Sequence, residues 1–277
     1  ELTTRCSIET ADGEHAPWYL LRCWIESGVL LDGVTSVCDR AFFECGGMKS
    51  VRIPRTVTSI GAKAFAHCRS LGSIAIPNSV EEIRDRAFSR CRSSAIKIPR
   101  SVVSFGGNPF AGCEKLEEID VSENPHLAFV DGVLMDREMT QVICCNPRKT
   151  GHYDIPNTVT AIHARAFQDC KLGSITVPDS AKRIGDKAFA NCGDLKSIAI
   201  PGSVETLGMG LFVWCCNLHK VMAFGETHNL KTVDGVLFHE EMTRLIWCPK
   251  SMRGSYAIPH TVKAIDPFAF AFCKESR

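Results

Sequence analysis

Fifteen cysteines and nine histidines hold most of the chemical potential of this 277-residue chain. Thiolates and imidazoles bind zinc, and a cysteine beside a histidine can act as a nucleophile. Each chemistry demands its own spacing. Zinc wants close cysteine pairs twice over, yet no C-x-x-C occurs, and the vicinal pairs Cys144-Cys145 and Cys215-Cys216 have no second pair at ligand spacing. A Cys-His nucleophile wants one cysteine with its own base, yet no histidine returns at a fixed offset from the cysteines. His67 and His163 fall inside a repeated phrase, and His126 and His228 in two related modules. The adjacent carboxylates Glu117-Glu118 and Glu240-Glu241 would point to opposite faces of a strand, so neither makes a facing glycosidase pair. Asp131 and Asp234, each in Val-Asp-Gly-Val-Leu, offer one carboxylate where calcium takes six or more oxygens, which favours a turn role. No phosphate loop, G-x-S-x-G or H-E-x-x-H is present. No catalytic residue, no cofactor and no metal is expected.

The cysteines are better explained by a repeat. Phe-x-x-Cys occurs at Phe42–Cys45, Phe65–Cys68, Phe88–Cys91, Phe110–Cys113, Phe167–Cys170, Phe189–Cys192, Phe212–Cys215 and Phe270–Cys273. The phenylalanines are 23, 23, 22, 57, 22, 23 and 58 residues apart. A good copy reads LGSIAIPNSVEEIRDRAFSRC, from Leu71 to Cys91. Its Ser-Ile-Ala-Ile portion alternates as a short strand with one buried face. Proline follows at positions 54, 77, 99, 156, 178, 201 and 259 and ends the ladder for want of an N–H. Val-x-x-Ile then turns a second apolar pair inward. Glycine comes next at 61, 106, 185 and 208, but Cys38, Arg84, His163 and Asp266 take its place elsewhere, so a positive φ is not required there. Ala-Phe-x-x-Cys reads as a short helical turn with Phe and Cys on one face. One such unit cannot bury its apolar face, but stacked units can. The expected architecture is an α/β solenoid: a parallel sheet on the concave side, short helices or turns on the convex side. The repeat cysteines then form a reduced, buried ladder, with Cys6, Cys23 and Cys38 outside it as the better disulfide candidates.

The long steps hold a second repeat. VDGVLMDREMTQVICC (Val130–Cys145) returns as VDGVLFHEEMTRLIWC (Val233–Cys248), 103 residues later. In each, two apolar runs separated by polar residues predict a hairpin, giving insertions near 126–150 and 228–252 within one solenoid over 30–273. Residues 1–29 do not fit the phrase and read as a cap or degenerate coil. The chain opens at Glu1 and its last residues, 274–277, follow directly on a repeat cysteine, as in a piece of a longer protein. A net charge of +1 argues against a strongly basic nucleic-acid binder, and no run of about 18 apolar residues spans a membrane.

The pattern L-x-S-I-x-I-P-x-x-V-x-x-I-G-x-x-A-F-x-x-C closely resembles the BspA-type, or treponemal-type, leucine-rich repeat. That resemblance implies a leucine-rich-repeat solenoid and a non-enzymatic surface or secreted protein. It also implies adhesion to a host protein or matrix ligand. An intracellular scaffold or effector is the alternative, since many unpaired cysteines suit a reducing compartment; the non-catalytic part of a larger enzyme is a third. Recognition would use the outward strand positions, with Arg52, Ala75, Lys97, Asp120, Thr176, Ala199 and Met222 as candidate partner-facing residues. Arg52 and Lys97 flank Ala75 and could together seat an acidic group, although solvated surface charge is the plainer reading.

Overall fold

The computed structural model describes residues 24–225, 229–239, 241–250, 252 and 255–271. Cys6, Cys23, His228, Glu240, Cys273, residues 274–277 and most of the expected cap lie outside the described residues. Two compact units divide the chain. The first runs to Arg137 and includes Asn146–Arg148; the second comprises Glu138–Cys145 and the chain from Lys149 onward.

Each unit is a stack of coils built from parallel strands. In the first, Ser27–Val29 pairs with Ser50–Arg52, Ala75 bridges to Lys97, and Ala95–Lys97 pairs with Glu118–Asp120. A second row, from the Val-x-x-Ile segments, orders Ser36–Val37, Ser59–Ile60, Glu82–Ile83 and Ser104–Phe105. The second unit repeats both rows. Thr150–Asp154, Lys171–Thr176, Ser197–Pro201 and Lys220–Phe224 lie side by side, as do Gln141–Cys145, Ala161–Ile162, Arg183–Ile184 and Thr206–Leu207. The alternation read from sequence holds: Ile74, Ile76, Ile96, Ile98, Ile175 and Ile198 are buried, and the residues between them face outward.

The expected short helices are not formed: among the described residues there is no helix. Around each repeat Phe the backbone alternates hand. At Phe42, Phe65, Phe88, Phe167, Phe189 and Phe212 the residues two before and two after take positive φ, as in Arg40 and Glu44, Lys63 and His67, or Lys187 and Asn191, whereas at Phe110 only Gly112, two after, does so. This alternation directs successive N–H groups differently. The N–H groups of Lys63, Phe65 and His67 donate to Asp85, Ala87 and Ser89 of the next coil, while those of Ala64, Ala66 and Cys68 donate three residues back. A helix would turn all of them inward along its own axis and leave the next coil unpaired. The Pro turn is likewise tied across coils. Thr56, Ser79, Ser101, Ser180 and Ser203, each two residues after its proline, donate a hydroxyl to a backbone carbonyl of the coil before, at 2.6–2.8 Å.

The glycine column has a steric cause. Its members do not take positive φ, as expected, but they touch the backbone of the preceding coil. A Cβ on Gly61 would lie 2.5 Å from the Asp39 nitrogen, and one on Gly185 would lie 2.4 Å from that of Ala164. His163 and Asp266 follow hairpin modules rather than ordinary coils. There the position makes polar contacts instead: His163 Nε2 lies 3.0 Å from Gln141 Oε1, and Arg244 donates to Asp266 at 2.6 and 2.8 Å. Arg84 breaks the rule, and nothing in the structure explains it.

The modules exceed the predicted hairpin. Leu127–Val130 and Val133–Asp136 form an antiparallel pair closed by Asp131-Gly132, with φ of 48° and 72°. Two positive φ values make this the type I′ turn for which Asp-Gly is suited. In the second unit, Leu230–Val233, Val236–His239 and Arg244–Trp247 form a three-stranded meander, onto which Ala264–Ile265 adds in parallel.

Phenylalanines stack through the core of each unit. Ring centroids are 5.2, 5.6 and 6.0 Å apart along Phe42, Phe65, Phe88 and Phe110, and 5.5 and 5.9 Å along Phe167, Phe189 and Phe212. Tyr153 meets one end of the second stack and Trp247 the other, at 6.2 and 6.4 Å. Phe88 is fully buried between two rings, whereas Phe270 is half-buried. Phe88→Ala is therefore expected to cost about 3–5 kcal/mol in chemical denaturation, and Phe270→Ala clearly less. Gly185→Ala forces two backbones apart and should cost about 1–3 kcal/mol; an unchanged midpoint would mean the coils are not stacked in this register.

Candidate functional site

Two rows of side chains are candidates: the outward strand positions and the cysteine ladder. Strand pairing lines up the outward positions across coils. In the first unit Val29 faces Arg52, Ala75 faces Lys97, and Lys97 faces Asp120. Arg52, Ala75 and Lys97 are exposed and Asp120 is half-buried. The Lys97 ammonium is already engaged: its Nζ lies 2.6 Å from Glu123 Oε1, which with Asp120 raises its pKa. Asp120 in turn accepts from the hydroxyl and N–H of Ser122, which hold its carboxyl below the ordinary range. The two-cation seat across Ala75 is thus reduced to Arg52, with Lys97 neutralised by its own neighbour.

In the second unit Asp154, Thr176, Ala199 and Met222 form one in-register row, and His152, Ser174, Ser197 and Lys220 the parallel one. Thr176 and Ala199 are half-buried and Met222 is exposed. A bulge sets the first rung. Pairing shifts from Gly151 opposite Leu172 to His152 opposite Ser174, skipping Gly173, while Gly151 takes φ of 82°. That shift brings the His152 ring between two partners, with Nδ1 2.7 Å from Ser174 Oγ and Nε2 2.8 Å from Asp154 Oδ1. The Thr176 hydroxyl first, then His152, holds the Asp154 carboxyl below its usual range.

Serine, histidine and aspartate are the residue types of a nucleophilic triad, and sequence reading missed this group because the bulge is invisible in the repeat phrase. Its setting is that of a polar fastening. The His152 side chain is 51% exposed and that of Asp154 72%, so water screens both. Activation of a hydroxyl needs a dry, preorganised site. What this row offers is hydroxyls, one imidazole and one carboxylate, held in place on a rigid face.

The cysteine ladder is buried, and its thiols are used. Cys68, Cys91 and Cys113 donate to the carbonyls of Phe42, Phe65 and Phe88, each one coil back, at 3.1–3.2 Å. Cys192 and Cys215 do the same to Phe167 and Phe189 at 3.0 and 2.9 Å. The carbonyls of Phe42, Phe65, Phe88 and Phe167 also accept the N–H three residues on, so the thiol satisfies a second lone pair that an alanine would leave bare. Burial pushes the Cys68, Cys91 and Cys170 thiols well above their ordinary pKa. At Cys192 a hydrogen bond with Cys215 does so first and burial second. Cys38, a disulfide candidate from sequence, is a half-buried thiol.

Two parallel rows per coil, one stack of Phe, a thiol ladder and an Asp-Gly module agree with a family model. The model for the BspA-type leucine-rich repeat region matches residues 35–132 and 141–274 in six copies. The chain belongs to the BspA-type leucine-rich repeat family. Solved structures agree. A leucine-rich repeat protein from Eubacterium ventriosum is 26% identical over 93% of this chain and 73% of its own, with a TM-score of 0.68. The pneumococcal vaccine antigen PcpA, 18% identical over 88% of this chain and 75% of its own, has a TM-score of 0.57. A leucine-rich cell surface protein from Faecalibacterium prausnitzii, 23% identical over 73% of each chain, has a TM-score of 0.51. Among curated proteins no relative matches the sequence.

The ladder of this BspA-type protein makes a graded prediction. Cys68→Ala removes one small donor and should cost about 1–2 kcal/mol, whereas Cys68→Asp buries a charge and should cost several. Equal melting temperatures for the two variants would show the site to be exposed.

Proposed function

We propose that this protein is a non-enzymatic recognition module displayed at the cell surface or secreted, which binds a protein or matrix partner through its outward strand row. The observation that carries this reading is the in-register row Asp154–Thr176–Ala199–Met222, with Met222 and Phe224 exposed on the same edge strand. Small central residues leave room for a partner, and exposed apolar residues beside them supply the desolvated anchor that tight protein contacts need. In the first unit, Arg52 and Ala75 extend the candidate set, with Lys97 and Asp120 acting through their own local pairs. Surface display is supported by relatives of this fold, one a cell surface protein and another a vaccine antigen.

The cysteine content loses its weight as an argument for a reducing compartment. A thiol that is buried, hydrogen-bonded and raised in pKa is a poor target for oxidation, so the ladder tolerates an oxidising exterior as well as a cytoplasm. Protease shaving of intact cells separates surface display from the intracellular alternative: loss of the protein is expected, and full protection would overturn the surface assignment. For the row, Ala199→Glu/Met222→Glu should leave the melting temperature within a few degrees. The same pair should reduce retention of protein-coated beads on immobilised matrix extract by about tenfold or more. Retention equal to the unaltered protein would remove this row from the binding surface.

A further inference from the structure

The Phe-x-x-Cys turn row of the first unit carries a charge pattern that the strand row does not share. Residues 84–92, RDRAFSRCR, hold four arginines against one aspartate, in a chain whose total formal charge is +1. Two of the four are neutralised locally. Arg84 Nε lies 3.0 Å from Glu82 Oε2, and Arg86 Nε 3.3 Å from Asp85 Oδ2. Arg90 and Arg92 are exposed and form no ion pair among the described residues, and the same is true of Arg69 one coil earlier.

The repeat arranges these cations. Arg90 occupies in its coil the place of His67 in the coil before, two residues after the Phe, and Arg92 the place of Arg69, four residues after it. The His67 and Arg90 backbones belong to the same inter-coil ladder, with the His67 N–H donating to Ser89 and the Arg90 N–H to Ala111 at 2.8 and 2.9 Å. Coils spaced as hydrogen-bonded strands place equivalent residues about 4.8 Å apart. The result is a two-by-two grid of His67, Arg90, Arg69 and Arg92 on a rigid backbone. Its closeness is felt by His67, whose pKa is lowered by burial first and then by Arg90, with Arg69 and Arg86 adding and Glu44 opposing. Glu44 and Glu114 stand one coil beyond, at the two ends of the grid.

We infer that this grid on the turn row of residues 67–92 is a binding site for a sulfated polysaccharide, separate from the strand row. Three observations choose that ligand class. Exposed guanidinium forks match the paired oxygens of sulfate and carboxylate groups. No large apolar side chain is exposed between Leu31 and Val103, so the apolar anchor of a protein interface is missing here. Phe43 is half-buried against His67 at 5.4 Å and Phe65 and Phe88 are fully buried, so none of these rings is offered openly to a nucleic-acid base. A linear chain carrying repeated sulfates needs only cations in regular places, and the coil repeat supplies three, Arg69, Arg90 and Arg92, with His67 beside them as a hydrogen-bonding imidazole.

The test is fluorescence anisotropy with a labelled heparin hexasaccharide, at low and at physiological salt. Arg69→Glu/Arg90→Glu/Arg92→Glu is expected to weaken binding by at least about tenfold. It should also reduce the slope of log Kd against log salt by about two. The neutral triple change to Gln, which adds no new charge, should weaken binding less but in the same direction. Both variants should keep the melting temperature, because all three side chains are exposed. Arg52→Glu on the strand row should leave heparin binding unchanged. Absence of binding by the unaltered protein, or binding by the triple variants equal to that of the unaltered protein, overturns the site. Equal loss on Arg52→Glu overturns its location. Equal affinity for desulfated hexasaccharide or for a short DNA duplex overturns the assignment to sulfated glycan. Because the triple variants alter the turn row alone, failure of the heparin assay leaves the strand-row reading, which is tested on Ala199 and Met222, untouched.

Discussion

No coil of this protein can satisfy its own backbone, and the rest of the structure follows from that. At the turns of Phe42, Phe65, Phe88, Phe167 and Phe189, every second N–H points out of its coil and donates to the next one, from Lys63, Phe65 and His67 to Asp85, Ala87 and Ser89 for example. The left-handed residues that make this possible would be strained in isolation. They are held because both neighbouring coils use the same geometry. The thiol ladder runs the opposite way, from Cys68 back to the Phe42 carbonyl, and the Ser79 hydroxyl returns to Val57. At the Phe turn each coil is therefore stitched to its predecessor by side chains and to its successor by backbone, while the Val-x-x-Ile row donates backbone N–H groups to the coil before, as from Gly61 to Val37. This explains why residue type is so tightly repeated at Phe, Cys and the Ser or Thr after proline. Phe packs on its own copies, while the thiol and the hydroxyl each donate to an equivalent carbonyl of the coil before.

Hairpin modules interrupt that stitching and carry the consequences. The coil after a module lacks an ordinary coil to lean on, and the glycine that meets the preceding backbone at 61, 106, 185 and 208 is replaced by a polar residue. Gln141 and His163 in one module, Arg244 and Asp266 in the other, occupy equivalent places and make equivalent contacts with different chemistry. The second version is stronger. Asp266 is buried, receives both Arg244 nitrogens, and accepts the Gly210 N–H at 3.2 Å, while Arg244 also reaches the carbonyls of Leu207 and Gly208. A buried charge is tolerable only with partners of this kind. The Asp-Gly turn and the meander thus replace a missing coil, while Trp247 ends the Phe stack.

A solenoid of this construction separates its surfaces by chemistry. The strand row shows small residues and hydroxyls, with apolar Met222 and Phe224 at one edge. The turn row shows whatever occupies the positions flanking Phe, and those positions tolerate arginine, histidine, aspartate or tryptophan without disturbing the core. The two rows therefore present different chemistry, which is why separate partners are proposed for them.

The sequence by itself determined the coil, its period and its inside. The period near 23, the Ile alternation, the proline after each strand and the Phe-Cys pair are local patterns whose meaning does not depend on neighbours. They correctly placed Phe88 and Cys68 in the core and Arg52 and Met222 outside it. The Ser or Thr two residues after each proline was also legible as a repeat, and its role could have been suspected from that regularity alone. Tertiary structure decided the rest. Phe-x-x-Cys suits one turn of helix as well as a left-handed alternation, and only bonding to the next coil selects the second. The skipped Gly173 that joins His152 to Ser174, the capture of Lys97 by Glu123, and the close approach at Gly185 all lie between residues roughly one coil apart. Contacts of that separation are fixed by how coils stack, and a linear reading sees each coil only once.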